Sequence, residues 1–181
     1  MNDEELIRRI IDRDGTAMTY IVEKYSRLLW KVASGVLYSK GSESDAEECI
    51  ADVYVYLWER PNAFDHTKGS LKSWLCMTVR CKAIDRYRVL SRNNAISIDT
   101  VAEAAIDGVE AAFLNNETIN ELNLYLEQLE DVEREIFLRR YVDCQKPKAI
   151  AKSFGVSVKH INNSLYRTKQ KLKEKLKGEQ L

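Results

Sequence analysis

Apolar residues recur every three to four positions along most of this chain, a spacing that predicts amphipathic helices rather than strands. In the first half of the chain, the spacing predicts helices over residues 3–12, 16–37, 44–59 and 70–92. The dipeptide Asp14-Gly15 is predicted to end the first of these helices. A capping box from Ser44 to Glu47 is predicted to start the third, because a serine and a glutamate three residues apart satisfy each other's backbone N–H.

The segment from residue 147 to 176 has the pattern of a helix-turn-helix. Pro147 suits the first turn of a short helix, Gly155 supplies the left-handed backbone of a turn, and Ser157 caps a longer second helix. The apolar residues predicted to close on a core are Ile150, Ala151, Phe154, Val156, Ile161 and Leu165. The other face of the second helix can meet phosphates and base edges through Lys159, His160, Asn163, Arg167 and Gln170. The alternative is an ordinary helical hairpin with a solvated polar face.

Helical order is lost over residues 93–115, which contain no Lys or Arg. This composition predicts an extended acidic linker. Helices predicted over residues 116–129 and 131–142 then join the helix-turn-helix in a second domain. The sequence therefore predicts an all-α protein with two small helical domains, over residues 1–92 and 116–181, joined by an acidic linker over residues 93–115.

Charge is unevenly distributed, although the formal net charge is zero. Residues 1–92 carry 15 Lys and Arg against 14 Asp and Glu, residues 93–133 carry none against 10, and residues 134–181 carry 13 against 4. A basic terminal segment is the electrostatic footprint of a nucleic-acid partner.

Two further charged surfaces are predicted in the first domain. The acidic line on the third helix consists of Asp45, Glu48, Asp52 and Glu59, with Tyr56 nearby. Its periodicity alone favours a solvated face. The fourth helix has a basic outer side, and the loop before it carries an aromatic ring, a histidine and a lysine; such a pairing suits single-stranded nucleic acid, with a solvated face as the alternative. The basic residues are Lys72, Arg80, Lys82, Arg86, Arg88 and Arg92.

Metal and enzyme chemistry find little support in the sequence. Cys49, Cys76, Cys81 and Cys144 lack C-x-x-C spacing, which favours buried free thiols over a zinc site. There is no phosphate-binding glycine loop and no motif that pairs a nucleophile with a base, so we expect neither a catalytic site nor a cofactor. No apolar run reaches the length of a membrane span, and the charged N-terminus is unlike a signal peptide, which predicts a cytoplasmic protein.

Four segments stand in an order and spacing that point to one family. They are YSRLLWKVASGVL, DAEECIADVYVYLWE, FDHTKGSLKSWLCMTVRCKAIDRYR and EREIFLRRYVDCQKPKAIAKSFGVSVKHINNSLYRTKQKLKEKL. The chain resembles bacterial RNA polymerase sigma factors of the extracytoplasmic-function type, which keep only two globular regions, conventionally regions two and four. The resemblance implies a non-enzymatic initiation subunit that binds core RNA polymerase, recognises the minus-thirty-five and minus-ten promoter elements, and helps melt the second.

The resemblance also implies roles for individual residues. Contacts with the coiled coil of the polymerase clamp fall on Asp45, Glu48, Asp52 and Tyr56. Contacts with bases of the melted minus-ten element fall on the loop from Phe64 to Gly69 and on the start of the next helix, including Phe64, Lys68 and Lys72. Contacts with the adjoining duplex and displaced strand fall on Arg80, Lys82, Arg86 and Arg88. Contacts in the upstream major groove fall on Lys159, His160, Asn162, Asn163, Arg167 and Lys169.

The chain departs from the family pattern at two places. Asn162 and Ser164 stand where the family often has basic residues, and Glu130 stands where a proline is usual. The resemblance further implies an anti-sigma protein as a partner. The competing interpretations are a stand-alone helix-turn-helix regulator, which leaves the charged surfaces of the first domain unexplained, and an adaptor without DNA activity.

Overall fold

The computed structural model describes residues 2–92 and 124–178. The chain divides into two compact units, Met1–Val109 and Glu110–Leu181. Among the described residues every regular element is a helix, which confirms the predicted all-α class. The predicted linker over residues 93–115 lies outside the described residues, as does most of the helix predicted over residues 116–129, of which residues 124–127 are helical.

The N-terminal unit is built around its second helix. Its helices are α1 (Asp3–Ile11), α2 (Gly15–Leu37), α3 (Glu43–Glu59) and α4 (Leu71–Arg92). Two short 3-10 turns, Pro61–Ala63 and His66–Lys68, lie in the loop between α3 and α4. The helix α2 packs against α1, α3 and α4, so its apolar side chains supply the centre of the core. Fully buried core residues include Ile21, Leu29, Val32, Val53, Leu57, Leu71, Leu75 and Val79.

The third helix starts earlier than the sequence pattern suggested. Ser42 is its N-cap: the Ser42 hydroxyl accepts the Asp45 N–H at 3.2 Å, and the Asp45 carboxylate accepts the Ser42 N–H at 2.8 Å. The predicted capping box from Ser44 to Glu47 is therefore wrong. Both serines precede an acidic residue by three positions, and the pair two residues earlier forms the box.

Two smaller differences concern the first two helices. Gly15 is the first residue of α2, with Asp14 as the N-cap that accepts the Thr16 N–H at 2.9 Å. Ile11 is exposed, although it continues the apolar spacing of Leu6, Ile7 and Ile10, which are buried.

The C-terminal unit contains the predicted helix-turn-helix. Its helices are α5 (Asp131–Tyr141), α6 (Pro147–Phe154) and α7 (Val158–Gly178), and each packs against the other two. One apolar cluster joins them, with Tyr141 and Phe154 partly buried around it. Its buried members are Ile136, Ile150, Ala151, Ile161 and Leu165.

The turn between α6 and α7 follows from local chemistry. Gly155 has φ 65° and ψ 27°, the left-handed conformation that glycine adopts without a steric penalty. The Val156 N–H then reaches back to the Ala151 carbonyl at 3.1 Å, which closes the end of α6 in a Schellman-type arrangement. The prediction that Val156 lies in the core is wrong: the residue belongs to the turn, and its side chain is exposed.

Candidate nucleic-acid and protein interfaces

The acidic line on α3 divides into one covered carboxylate, Asp45, and three open ones, Glu48, Asp52 and Glu59. Asp45 is only 12% exposed, whereas Glu48 and Asp52 are 67% and 60% exposed. Hydrogen bonds from the Ser42 backbone and hydroxyl, followed by one from Arg86, lower the pKa of Asp45 from 3.8 to about 2. Asp45 is therefore a fixed structural anion, and the three open residues offer the accessible negative charge.

Ion pairs join this acidic line to the basic side of α4. The Arg86 Nη2 lies 2.6 Å from Asp45 Oδ1 and 3.8 Å from Glu48 Oε2. The Lys82 Nζ lies 2.8 Å from Asp52 Oδ2. Two surfaces that the sequence suggested for different partners are thus neighbours that neutralise part of each other's charge.

The basic side of α4 is smaller than the sequence predicted. Arg80 is only 6% exposed, so the prediction that it lies on the outer side of the helix is wrong. It stands four residues after Cys76 and four before Ile84, both buried, and it shares their side of the helix. Arg88 pairs with Asp85 at 3.4 Å, and Lys72 and Arg92 are exposed.

The loop between α3 and α4 is supported by aromatic contacts. Phe64 is only 6% exposed and packs edge-to-face with Trp74, with 6.0 Å between the ring centres. Tyr56 stacks on Trp74 at 6.1 Å with the ring planes 12° apart. The burial of Phe64 leaves no open ring face for a base, and its observed role is to hold the loop against α4.

A charged turn follows Phe64 in this loop. The Asp65 carboxylate accepts the Thr67 N–H at 3.0 Å and pairs with Lys68 at 2.7 Å. The bonds from Lys68 and Thr67 hold the pKa of Asp65 well below its usual range. The side chain of Lys68 remains largely exposed, so the turn presents a cation to solvent.

The second helix of the helix-turn-helix has one buried and one polar face. Ser157 caps α7 by accepting the His160 N–H at 3.1 Å, as predicted. Ile161, Ser164, Leu165 and Thr168 are buried at helical spacing. The polar candidates are all exposed: Lys159, His160, Asn162, Asn163, Arg167 and Lys169. Gln170 is half-buried.

One exposed residue on α7, Tyr166, was not among the residues predicted to contact DNA. Tyr166 is 61% exposed and lies three residues after Asn163, beside the polar candidates. The sequence contained this signal, because residue 166 stands five positions after Ile161 and one after Leu165, and neither interval returns a helix to the same side.

The cysteines are free thiols. Cys49, Cys76 and Cys144 are buried and Cys81 is half-buried. Burial raises the pKa of Cys49 and of Cys76 to about 11, which disfavours the reactive thiolate. Within residues 2–92 and 124–178, no group of three or more histidine, cysteine or acidic residues is placed to hold a metal ion.

Comparison with known proteins identifies the family. The model for Sigma-70 region 2 matches residues 21–93, and the model for Sigma-70 region 4 matches residues 119–172. The ECF RNA polymerase sigma factor SigK of Mycolicibacterium vanbaalenii is 28% identical over 147 residues, covering 77% of this chain and 71% of that protein. The RNA polymerase sigma-H factor of Bacillus licheniformis is 24% identical, covering 97% of this chain and 87% of that protein.

A solved structure, that of CnrH in complex with the cytosolic domain of CnrY, aligns over 97% of both chains with 19% identity and a TM-score of 0.38.

The chain belongs to the sigma-70 family, since the models for regions 2 and 4 both match it, in that order along the chain. Within that family it is an RNA polymerase sigma factor of the extracytoplasmic-function type.

The family defines the activity. Sigma factors are non-enzymatic initiation factors that bind core RNA polymerase and direct it to promoter DNA. A stand-alone helix-turn-helix regulator accounts for region 4 alone, and the comparisons give that alternative no support. Among the described helices, none is long and apolar enough to cross a membrane.

Proposed function

We propose that Glu48 and Asp52 are the acidic contacts for the clamp of core RNA polymerase. They are exposed carboxylates of α3, and they lie one and two turns after the covered Asp45. Lys82 pairs with Asp52 and Arg86 lies near Glu48, which neutralises part of this charge, and both carboxylates remain more than half exposed. Asp45 then supports the surface by anchoring the start of α3 to Arg86, and the half-buried Tyr56 flanks it.

The loop between α3 and α4 is assigned to the minus-ten element. Lys68 and Lys72 place positive charge on the loop and on the first turn of α4, where it can follow a phosphate backbone. Lys82, Arg86 and Arg88 extend this charge along α4. Phe64 and Arg80 are buried, so their part is to support the loop and the helix.

The start of α7 is assigned to the major groove of the minus-thirty-five element. This assignment rests on one observation: α7 buries Ile161, Leu165 and Thr168 on one side and exposes a polar face on the other. An exposed α-helix with amide and cationic side chains fits the width of the major groove and its donor and acceptor pattern. The residues on this face are Lys159, His160, Asn162, Asn163, Tyr166, Arg167 and Lys169.

Site-specific photo-crosslinking tests the three assignments together. Probes placed singly at positions 52, 68 and 163 are expected to label, in turn, the largest subunits of the polymerase, the minus-ten DNA and the minus-thirty-five DNA. A probe at position 47, also exposed on α3, is the control and is expected to label none of them efficiently. Labelling of polymerase from position 47 as strongly as from position 52 would contradict the clamp assignment.

We also propose that the protein works in the cytoplasm and that an anti-sigma protein holds it inactive. Both proposals rest on membership of this sigma-factor group. An inhibitor of this kind is expected to form a stoichiometric complex with the protein and to exclude core polymerase. Cell fractionation with size-exclusion chromatography tests both points, and a free protein in every growth condition would contradict the second.

A further inference from the structure

The N-terminal helix α1 reaches across the sequence to the start of α4. The Asp3 carboxylate accepts the Leu71 N–H at 2.7 Å, a contact between residues 68 positions apart. Leu71 is the first residue of α4, so its N–H is one of those that the helix itself leaves without a partner. A carboxylate at this end also opposes the positive end of the helix dipole. Asp3 therefore caps α4 from another element.

The other end of α1 reaches the end of α3. Arg13 follows α1, and its guanidinium donates to the Trp58 carbonyl at 2.8 Å while lying over the Trp58 ring at 5.3 Å. This carbonyl belongs to the last turn of α3, where backbone acceptors lack partners within the helix. Arg13 has φ 60°, a left-handed conformation that costs a residue with a side chain on the order of 1 kcal/mol. The contacts with Trp58 offset that cost.

The helix between these contacts is firmly held. Leu6 and Ile10 are fully buried, and Asn2 caps the helix by accepting the Glu5 N–H at 2.8 Å. Along its length α1 packs against α2 and against the turn Pro61–Ala63. The helix α1 together with Arg13, which follows it, thus touches the end of α3, the start of α4 and the loop that connects them.

We propose that α1 braces the loop of residues 60–70 for promoter opening, with Asp3 and Arg13 as positioning residues. Fixing both ends of a loop reduces the conformational freedom that must be lost when the loop binds DNA. This bracing affects the binding of the loop to DNA. The clamp surface on α3 does not depend on it, because the Asp45–Arg86 ion pair holds that surface separately. This inference rests on the proposed assignment of the loop to the minus-ten element.

The chain offers matched controls for both residues. Glu4 lies next to Asp3 and is exposed, so Glu4→Ala removes the same charge from α1 without touching α4. Arg8 is exposed on α1, so Arg8→Ala is the control for Arg13→Ala. Asp3→Asn keeps an acceptor oxygen and is the conservative variant. Lys68→Ala with Lys72→Ala tests the loop itself.

The experiment follows the full-length protein with core polymerase and a promoter. It measures exchange of the Leu71 amide by NMR on the free protein, affinity for core polymerase, and the rate of open-complex formation. Asp3→Ala is expected to speed Leu71 exchange and to slow opening by about tenfold, the scale of one lost charge-assisted hydrogen bond, at unchanged core affinity. Asp3→Asn is expected to restore most of the rate, and Glu4→Ala to behave as wild type. Arg13→Ala is expected to slow opening, unlike Arg8→Ala.

Four results would overturn the inference, each in a different way. Unchanged Leu71 exchange in Asp3→Ala would remove the cap. Faster Leu71 exchange with normal opening in Asp3→Ala, while the double variant with Lys68 and Lys72 replaced by Ala opens slowly, would contradict the bracing role of α1. It would leave the assignment of the loop to the minus-ten element intact. Normal opening in the lysine variant would remove the loop assignment on which the brace depends. A parallel loss of core affinity and opening in Asp3→Ala would show a general destabilisation rather than positioning.

Discussion

The Arg86 guanidinium on α4 lies 2.6 Å from the Asp45 carboxylate on α3, and Asp45 in turn holds the backbone N–H of Ser42. One carboxylate therefore completes the cap of α3 and ties α3 to α4. Asp45 and Arg86 were expected to contact different macromolecules, yet in the free protein they bind each other. The pair fixes the acidic surface of α3 beside the basic surface of α4.

Removal of the Asp45 charge is expected to lower stability in a pH-dependent way. The folded-state pKa of Asp45 is about 2, below the ordinary value of 3.8, so its stabilising effect is complete above about pH 4 and is lost as the pH falls through about 2. At neutral pH, Asp45→Asn is expected to destabilise the N-terminal unit by ~1 kcal/mol, the scale of a lost cap. Thermal unfolding followed by circular dichroism measures the difference.

The control for this prediction is Asp85→Asn, since Asp85 is exposed on α4 and pairs with Arg88, three residues later, at 3.4 Å. Its effect on the melting temperature is expected to be small. A stability difference between wild type and Asp45→Asn that persists undiminished at the lowest pH would contradict the structural role of the ionised carboxylate.

Charge reversal at the open carboxylates is expected to abolish polymerase binding. Replacing Glu48 and Asp52 together by Lys is expected to weaken core affinity by ~100-fold or more, because like charges opposed at an interface cost several kcal/mol. Fluorescence anisotropy with labelled protein measures this affinity. Glu43 and Glu47 are also exposed on α3, and the matched control replaces these two residues by Lys. Equal losses in both double variants would argue against a specific surface.

Loop cations are expected to set part of the salt dependence of promoter opening. Replacing Lys68 and Lys72 by Ala is expected to reduce the slope of log K against log salt by about one per lost phosphate contact. Lys31→Ala, an exposed cation on α2, is the control and should leave the slope unchanged. Open-complex stability measured over a salt series tests this, and an unaltered slope in the double variant would exclude the loop.

Residues on α7 are expected to divide into base readers and phosphate binders. Asn163→Ala or His160→Ala is expected to change the preference among upstream sequences by ~1–3 kcal/mol at particular positions. Lys169→Ala is expected to weaken all sequences by similar amounts, because a phosphate contact carries no sequence information. Binding to a randomised promoter library separates the two patterns. Uniform weakening by all three changes would place the base contacts elsewhere.

Local chemistry made the helix-turn-helix predictable. Pro147 and Gly155 have strong backbone preferences and Ser157 is a favoured capping residue, and the structure places all three as expected. The cap of α3 was harder, because Ser42 and Ser44 both precede an acid by three residues. The capping boxes that begin at Ser42 and at Ser44 are equivalent locally, and only the position of α3 in the folded unit selects between them.

Burial of polar or loop residues depended on contacts that the sequence pattern did not encode. Phe64 is buried through Trp74, which lies on another element. The Asp45–Arg86 pair spans 41 residues and requires two helices to lie side by side. The burial of Arg80 could have been predicted from the sequence, because its four-residue spacing from Cys76 and Ile84 places it on the buried side of α4. It was predicted to be exposed because it is charged.

Promoter-dependent initiation by core polymerase tests the central claim most directly. Purified protein added to core RNA polymerase is expected to produce run-off transcripts from a promoter with both elements, and the variant with Glu48 and Asp52 replaced by Lys is expected to produce none. The control with Glu43 and Glu47 replaced by Lys should retain initiation. Transcription that is independent of the added protein, or equal with the wild type and the Glu48 and Asp52 variant, would contradict the account.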